Sequence, residues 1–236
     1  MLSFIVPAYN EEFELPRTIR AIREAAESVG CNYEIIVVDD GSTDATAQIA
    51  TAERAILVQI QRRHIAAARN AGAKAAHGEI LFFVDADTQI EKAHIADAIA
   101  ALRAGSSGGS ARVAINGAIP IWAQIFVRVF SLVYFASNLG AGAFLFTTRK
   151  NFDAVGGFDE RLFIGEEVYF SLALKKLGRF TLLPKPIMTS GRKLRMYPAG
   201  HILRRSLWII VRGRHAVQSR DRLELWYEGR RETDSA

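Results

Sequence analysis

Ile80-Leu81-Phe82-Phe83-Val84-Asp85-Ala86-Asp87 joins five apolar residues to a pair of carboxylates. An apolar run of that length reads as a strand buried on both faces, as in a parallel sheet covered by helices on each side. Asp85 and Asp87 then emerge where the backbone leaves the sheet, the edge at which open α/β sheets bind ligands. Two carboxylates about 4 Å apart repel by about 4 kcal/mol at an effective dielectric of about 20, which favours a divalent cation or a proton between them. Hard oxygen donors suit Mg2+ or Mn2+, ions that commonly arrive with a diphosphate. Taken alone, such a pair is more often a helix-capping Asp next to a solvated turn Asp.

Outward from this run, strand and helix patterns alternate from the start to about residue 115. Leu2 to Val6 reads as a strand stopped by Pro7, and Leu15 to Val29 as a helix with apolar Leu15, Ile19, Ile22 and Ala26, ended by Gly30. Tyr33 to Val38 is a second strand, Asp44 to Ala52 a helix begun by Ser42 or Thr43, Ile56 to Ile60 a third strand and Ile65 to Ala76 a helix. Repeated βα units predict a mostly parallel sheet with helices on both faces. Gly105-Ser106-Ser107-Gly108-Gly109-Ser110 reads as a flexible loop where the first half gives way to the rest. We therefore divide the chain into residues 1–115, residues 116–200 of the same domain, and a basic carboxy-terminal segment, residues 201–236.

In the second half, Ile119 to Phe135 reads as a helix with a narrow polar stripe of Gln124, Arg128 and Ser131; core, subunit interface and bilayer face are all compatible with it. Arg128 near its middle argues against a simple membrane span. His201 to Val211 reads as a basic amphipathic helix with Trp208 at its border, suited either to an anionic membrane surface or to packing on the domain. Thr181 to Leu183 reads as a strand before a Pro184-Lys185-Pro186 turn.

With half of its 236 residues hydrophobic, the chain can build a substantial core. A single cysteine, Cys31, excludes an intrachain disulfide, and the amino terminus lacks a secretory pattern, so the expected setting is the cytoplasm or the cytoplasmic face of a membrane. The net charge of +5 suits anionic partners such as nucleotide diphosphates, acidic lipids or nucleic acid, and the sign alone chooses none of them. His64 and His201 have no metal-like spacing with another His or Cys.

Three further segments end at the same sheet edge as the Asp pair. They are Phe4-Ile5-Val6-Pro7-Ala8-Tyr9-Asn10-Glu11-Glu12, Val37-Val38-Asp39-Asp40-Gly41-Ser42-Thr43-Asp44 and Ala68-Arg69-Asn70-Ala71-Gly72. In this order the four segments resemble the nucleotide-binding half of a family 2 glycosyltransferase of the GT-A fold, a Rossmann-like half joined to an acceptor-binding half. The resemblance extends through Gly142-Ala143-Phe144-Leu145-Phe146, Val155-Gly156-Gly157-Phe158-Asp159-Glu160, Gly165-Glu166-Glu167 and Thr189-Ser190-Gly191-Arg192, to about residue 195.

The resemblance implies roles. Pro7, Ala8, Tyr9 and Glu11 would hold the nucleoside, with the Tyr9 ring offered to the base. Asp39 would read the base, Arg69 would contact base or diphosphate, Asp85 would lie on the ribose side and Asp87 would bind Mg2+ or Mn2+. The general base would lie at Gly165-Glu166-Glu167-Val168. Glu167 stands where relatives carry Asp, a departure that leaves Glu166 as the other candidate. Arg192 would neutralise the diphosphate under a lid. The activity so implied is inverting transfer from a UDP- or GDP-sugar to a hydroxyl acceptor, lipid-linked or small, in glycan or glycolipid synthesis. Peripheral membrane contact and a homo-oligomer are compatible with it, and nucleic acid is not an expected partner. The competing readings are a catalytically silent nucleotide-binding or membrane-associated scaffold and a sugar nucleotidyltransferase; the latter would carry an early Gly-rich basic loop that Pro7-Ala8-Tyr9-Asn10 does not offer.

Overall fold

A computed structural model describes residues 1–116, 120–122, 124, 128, 137–190 and 200. An eight-stranded mixed sheet has the order β3-β2-β1-β4-β7-β6-β8-β5. Its strands are β1 (Leu2–Ala8), β2 (Tyr33–Asp40), β3 (Ile56–Ile60), β4 (Ile80–Val84), β5 (Thr88–Gln89), β6 (Ser106–Asn116), β7 (Phe144–Thr148) and β8 (Arg179–Ser190). The helices are α1 (Leu15–Val29), α2 (Thr46–Ala52), α3 (Ile65–Ala75), α4 (Lys92–Arg103), α5 (Arg149–Val155) and α6 (Glu166–Leu177).

Strands β1 to β4 run parallel, so the segments following β1, β2 and β4 leave the sheet at one edge. Antiparallel β7 pairs with β4 and carries the sheet into the second half. Alternation along the strands separates two cores. Phe4, Val6, Val37, Phe82 and Val84 face α1 and α4 residues such as Leu15, Ile19, Ile95 and Ile99. Ile5, Val38, Leu81 and Phe83 face the other layer, with Ala68 and Ala73 of α3 and Phe152, Phe158, Phe170 and Leu174. The α3 layer sits close to the sheet because Gly72 has no side chain; a Cβ there would lie 2.4 Å from Ile5 Cγ2 and 2.9 Å from Val38 Cγ2.

Several local expectations are corrected. Pro7 does not stop β1, which pairs with β2 through Ala8; its pairing with β4 has ended by Ile5, so a residue without an N–H is tolerated there. Helix α2 starts at Thr46 rather than Asp44, because Ser42 and Asp44 serve hydrogen bonds to the neighbouring loop. Ser106 to Ser110 is buried strand. Its glycines answer a packing demand, since a Cβ on Gly109 would lie 2.2 Å from both Phe146 Cζ and Thr181 O. Pro184-Lys185-Pro186 is not a turn but an irregularity within β8, where the register with β6 slips between Ala111 and Val113. The Lys185 ammonium reaches Glu91 there, and Pro186 O lies 3.2 Å from His94 Nε2.

Among the described residues no helix is long and apolar enough to cross a membrane. The His201–Val211 segment, Trp208 and most of Ile119–Phe135 lie outside the described residues.

Candidate active site

The loops after β1 and β2 are stitched into one surface. Asn10, in the left-handed region at φ 53°, donates its N–H to Ser42 Oγ and accepts from the Thr43 N–H through Oδ1. Glu11 N–H donates to Thr46 Oγ1, Glu12 N–H to Asp44 Oδ2, and Ala45 N–H to Glu12 Oε2. Asp39 is buried at the end of β2 and accepts the Ser42 N–H at 3.0 Å across the turn at Gly41, whose φ is 73°. Its neighbour Asp40 takes the N–H groups of Arg62, Arg63 and His64, at 2.7, 2.7 and 2.6 Å. That carboxylate is the anchor of the loop after β3. The loop holds the Arg63 guanidinium 3.4 Å from the centroid of the Tyr9 ring, so one face of the ring expected to stack a base is covered by a cation.

At the end of β4, Asp85 donates its N–H to Ala143 O and its carbonyl accepts from Thr88 N–H. Asp87 Oδ1 accepts from Thr189 Oγ1 at 3.2 Å, beside the pairing of β5 with β8. Both carboxylates are partly open to solvent. Among the described residues no three His, Cys, Asp or Glu side chains gather as a metal-binding group. The carboxylate oxygens of Asp85 and Asp87 are hard donors of the kind that Mg2+ or Mn2+ takes.

Arg69 departs from expectation. Rather than facing a ligand it is 1% exposed, with one terminal nitrogen 2.5 Å from Glu166 Oε1 and the other 3.0 Å from Asp85 Oδ1 and 2.9 Å from Gly142 O. Among the described residues its buried Nε has no hydrogen-bond partner. Burial by itself would lower the guanidinium pKa, but Asp85, Glu166 and Glu167 outweigh it and raise it.

Glu166 and Glu167 open α6 after Gly165, which takes φ 76°. Acidic residues in a first helical turn are stabilised by the helix dipole. The two carboxyls are nonetheless in different circumstances. Glu166 is buried against Arg69, whereas Glu167 keeps partial solvent access. Desolvation first, and then the charge of Glu166, push the Glu167 carboxyl up to about 8, with Arg69 opposing. Ser171 takes part in fixing this corner: its hydroxyl donates to Glu167 O and accepts the Gly140 N–H, tying α6 to the loop that carries Gly142.

The segments that carry these groups match the model of one family, described as Glycosyl transferase family 2, over residues 3–157. The chain belongs to glycosyl transferase family 2. Among curated members it is similar to the undecaprenyl-phosphate 4-deoxy-4-formamido-L-arabinose transferase of Pseudomonas paraeruginosa, 38% identical over 96 residues that make up 38% of this chain and 28% of that one. The Salmonella paratyphi B enzyme of the same name is 35% identical over 95 residues, 37% of this chain and 29% of that one. The chain thus spans less than a third of these relatives' length. Its fold is shared with the S. aureus TarS 1-349 complex with UDP-GlcNAc, at a TM-score of 0.63 and 21% identity over 90% of this chain and 66% of that one. It is also shared with the mannosyltransferase PcManGT of Pyrobaculum calidifontis in complex with GDP-Man and Mn2+, at 0.65 and 21% over 86% and 59%. The GT-A architecture expected of a family 2 chain is therefore the one observed.

Within this family 2 frame, Pro7, Ala8, Tyr9, Glu11 and Asp39 lie on the first two strand ends and their loops, and Asp85 and Asp87 on the fourth. Arg69 joins Asp85 to Glu166; Arg192 lies outside the described residues. Four residues without a role in the sequence reading belong to the same construction. They are Asp40, Gly142, Asn70, which trades hydrogen bonds with the Phe158 backbone, and His64. His64 caps α3, lies with its ring 4.7 Å from Phe163, and has its pKa lowered by burial against the pull of Glu166 and Glu160. Asp40 and Asn70 sat inside quoted motifs, and their adjacency to Asp39 and Arg69 was the available signal.

Proposed function

We propose that the protein is an inverting glycosyltransferase that moves a sugar from a UDP- or GDP-sugar to an acceptor hydroxyl, with Glu167 as the base. The observation that carries this reading is the unequal pair at the start of α6: Glu166 is buried in an ion pair with Arg69, whereas Glu167 beside it keeps partial solvent access, and burial and the charge of Glu166 raise its carboxyl. A base is most effective when its pKa lies near the working pH. Glu167 takes the proton of the acceptor hydroxyl as that oxygen bonds to the anomeric carbon, while the bond from that carbon to the diphosphate oxygen breaks on the opposite face. Asp39 orients the base of the nucleotide, and Pro7, Ala8, Tyr9 and Glu11 hold the nucleoside, with Arg63 as the second partner of the Tyr9 ring. Asp85 serves the ribose side. Arg192 is assigned to the diphosphate by family resemblance. A divalent cation, Mg2+ or Mn2+, held by Asp87 and completed by the diphosphate, would offset charge on the departing group.

The complexes of the fold neighbours with UDP-GlcNAc and with GDP-Man and Mn2+ support the donor class and the use of a metal. The curated relatives' names support a lipid-linked acceptor. The test is release of UDP or GDP from a panel of sugar nucleotides with Mg2+ or Mn2+, against soluble hydroxyl acceptors and polyprenyl acceptors in vesicles. Metal-dependent release that is lost in Asp87→Ala and in Glu167→Gln, with nucleotide binding kept in the latter, supports the proposal. Tight nucleotide binding without release supports a scaffold, and nucleotide synthesis from a sugar phosphate and a triphosphate supports a nucleotidyltransferase.

A further inference from the structure

Arg69 is the point where the donor side and the base side of the proposed centre meet. It comes from α3, while its partners come from the end of β4, from the start of α6 and from the loop before β7. We propose that Arg69 is a positioning residue for transfer: by taking Glu166 and Asp85 on separate terminal nitrogens, it removes Glu166 from proton transfer and leaves Glu167 as the carboxyl that meets the acceptor. This rests on the transferase reading above.

Three observations support it. First, the guanidinium orientation is dictated by its acidic partners, since among the described residues Nε is left buried without a hydrogen bond, an arrangement costly enough to call for a reason. Second, a planar fork with two terminal nitrogens spans two carboxylates, which the point charge of a Lys cannot do. Third, the surrounding backbone is cut to this side chain. A Cβ on Gly142 would lie 3.0 Å from Arg69 Nη2 and 3.7 Å from Glu167 Cγ, so glycine leaves room for both. Arg149 offers the contrast: its terminal nitrogens donate to the carbonyls of Ala73 and Ala76, neutral groups at the end of α3, a purely structural duty. Among the described residues, the charges that act most on Glu167 are Glu166 on α6, Arg69 from α3 and Asp85 after β4; residues 138–143 bring no titratable side chain.

The experiment measures nucleotide release against pH for wild type, Arg69→Lys, Gly142→Ala and Arg149→Lys, with donor affinity taken by calorimetry in Mn2+. In Arg69→Lys, kcat is expected to fall at least about 30-fold and donor Kd to stay within about three-fold, the signature of a lost transition-state arrangement rather than lost binding. The acidic limb of its kcat profile moves to higher pH, because Glu166 is left less neutralised beside Glu167. Gly142→Ala, which displaces the guanidinium by a few tenths of an ångström, shifts the limb in the same direction with a loss of about three- to ten-fold. Arg149→Lys lowers the melting temperature and leaves the limb in place. A stable Arg69→Lys with unmoved kcat and limb overturns the proposal. Should that variant not fold, an unmoved limb in Gly142→Ala overturns it instead. Absence of release by the wild type with every donor sinks the transferase reading itself, a distinguishable outcome.

Discussion

Replacing Glu167 by Gln removes one ionisable proton from a recess that disfavours the charged carboxylate, and the consequence for stability has a definite sign. Below its ordinary value of 4.5, the carboxyl is protonated in folded and unfolded chains alike, and wild type retains its full stability. As pH rises, the unfolded chain releases the proton first, while the folded chain holds it until about 8. Wild type therefore loses stability between 4.5 and about 8, and a Gln at this position does not. A carboxyl raised that far corresponds at most to about 5 kcal/mol; with the partial solvent access of Glu167 screening the charge, about 2 kcal/mol is the working figure. For a chain of this size that is about 4–8 °C in melting temperature. Thermal melts of the two proteins at about pH 4.5 should nearly coincide, and at about pH 9 the variant should melt higher by that margin. A gap that stays constant with pH, or a wild type that gains relative stability over this window, would refute the burial and charge argument for Glu167. The same variant should lose kcat by about 100-fold or more, since the proposed base is gone.

Other consequences are as specific. Asp40→Ala strips three backbone N–H groups of their acceptor and should cost about 3 kcal/mol in urea melts, with Asp40→Asn retaining part of the loss because an amide oxygen still accepts. Gly72→Ala drives a methyl into Ile5 and Val38 and should destabilise by about 1–3 kcal/mol; a neutral result would mean that α3 can lift off the sheet freely. Asp87→Ala should weaken Mn2+-assisted nucleotide binding by about ten-fold or more, and chelation should reduce wild type to the level of the variant, both readable by calorimetry.

The first half of the fold was legible because its strands are buried on both faces and so appear as uninterrupted apolar runs such as Ile80 to Val84. Each run ends in the polar residues that make the edge, which is why Asp39, Asp85 and Asp87 could be picked out together. Strand β6 escaped because its glycines and serines carry the composition of a linker. Gly109 is glycine only because Phe146 and Thr181 O leave no room, and Ser110 is buried by hydrogen bonding to the Ala141 and Phe144 carbonyls. Nor could Pro184 and Pro186 be read as strand without knowing that the register with β6 slips beside them. The burial of Arg69 was hidden for a different reason. Its acidic partner Glu166 lies 97 residues away, and only the packing of α6 against α5, β6 and β8 brings the two together. For the same reason the unequal duties of Glu166 and Glu167 could not be separated from their order in the chain.

A crystal structure of the protein with UDP or GDP and Mn2+ tests the central claim most directly. The account places the nucleobase on Asp39 beside Tyr9 and Arg63, the diphosphate and cation at Asp87, and Glu167 facing the open side of the site. A nucleotide bound away from the edge formed by β1, β2 and β4, or a cation that does not touch Asp87, would contradict it.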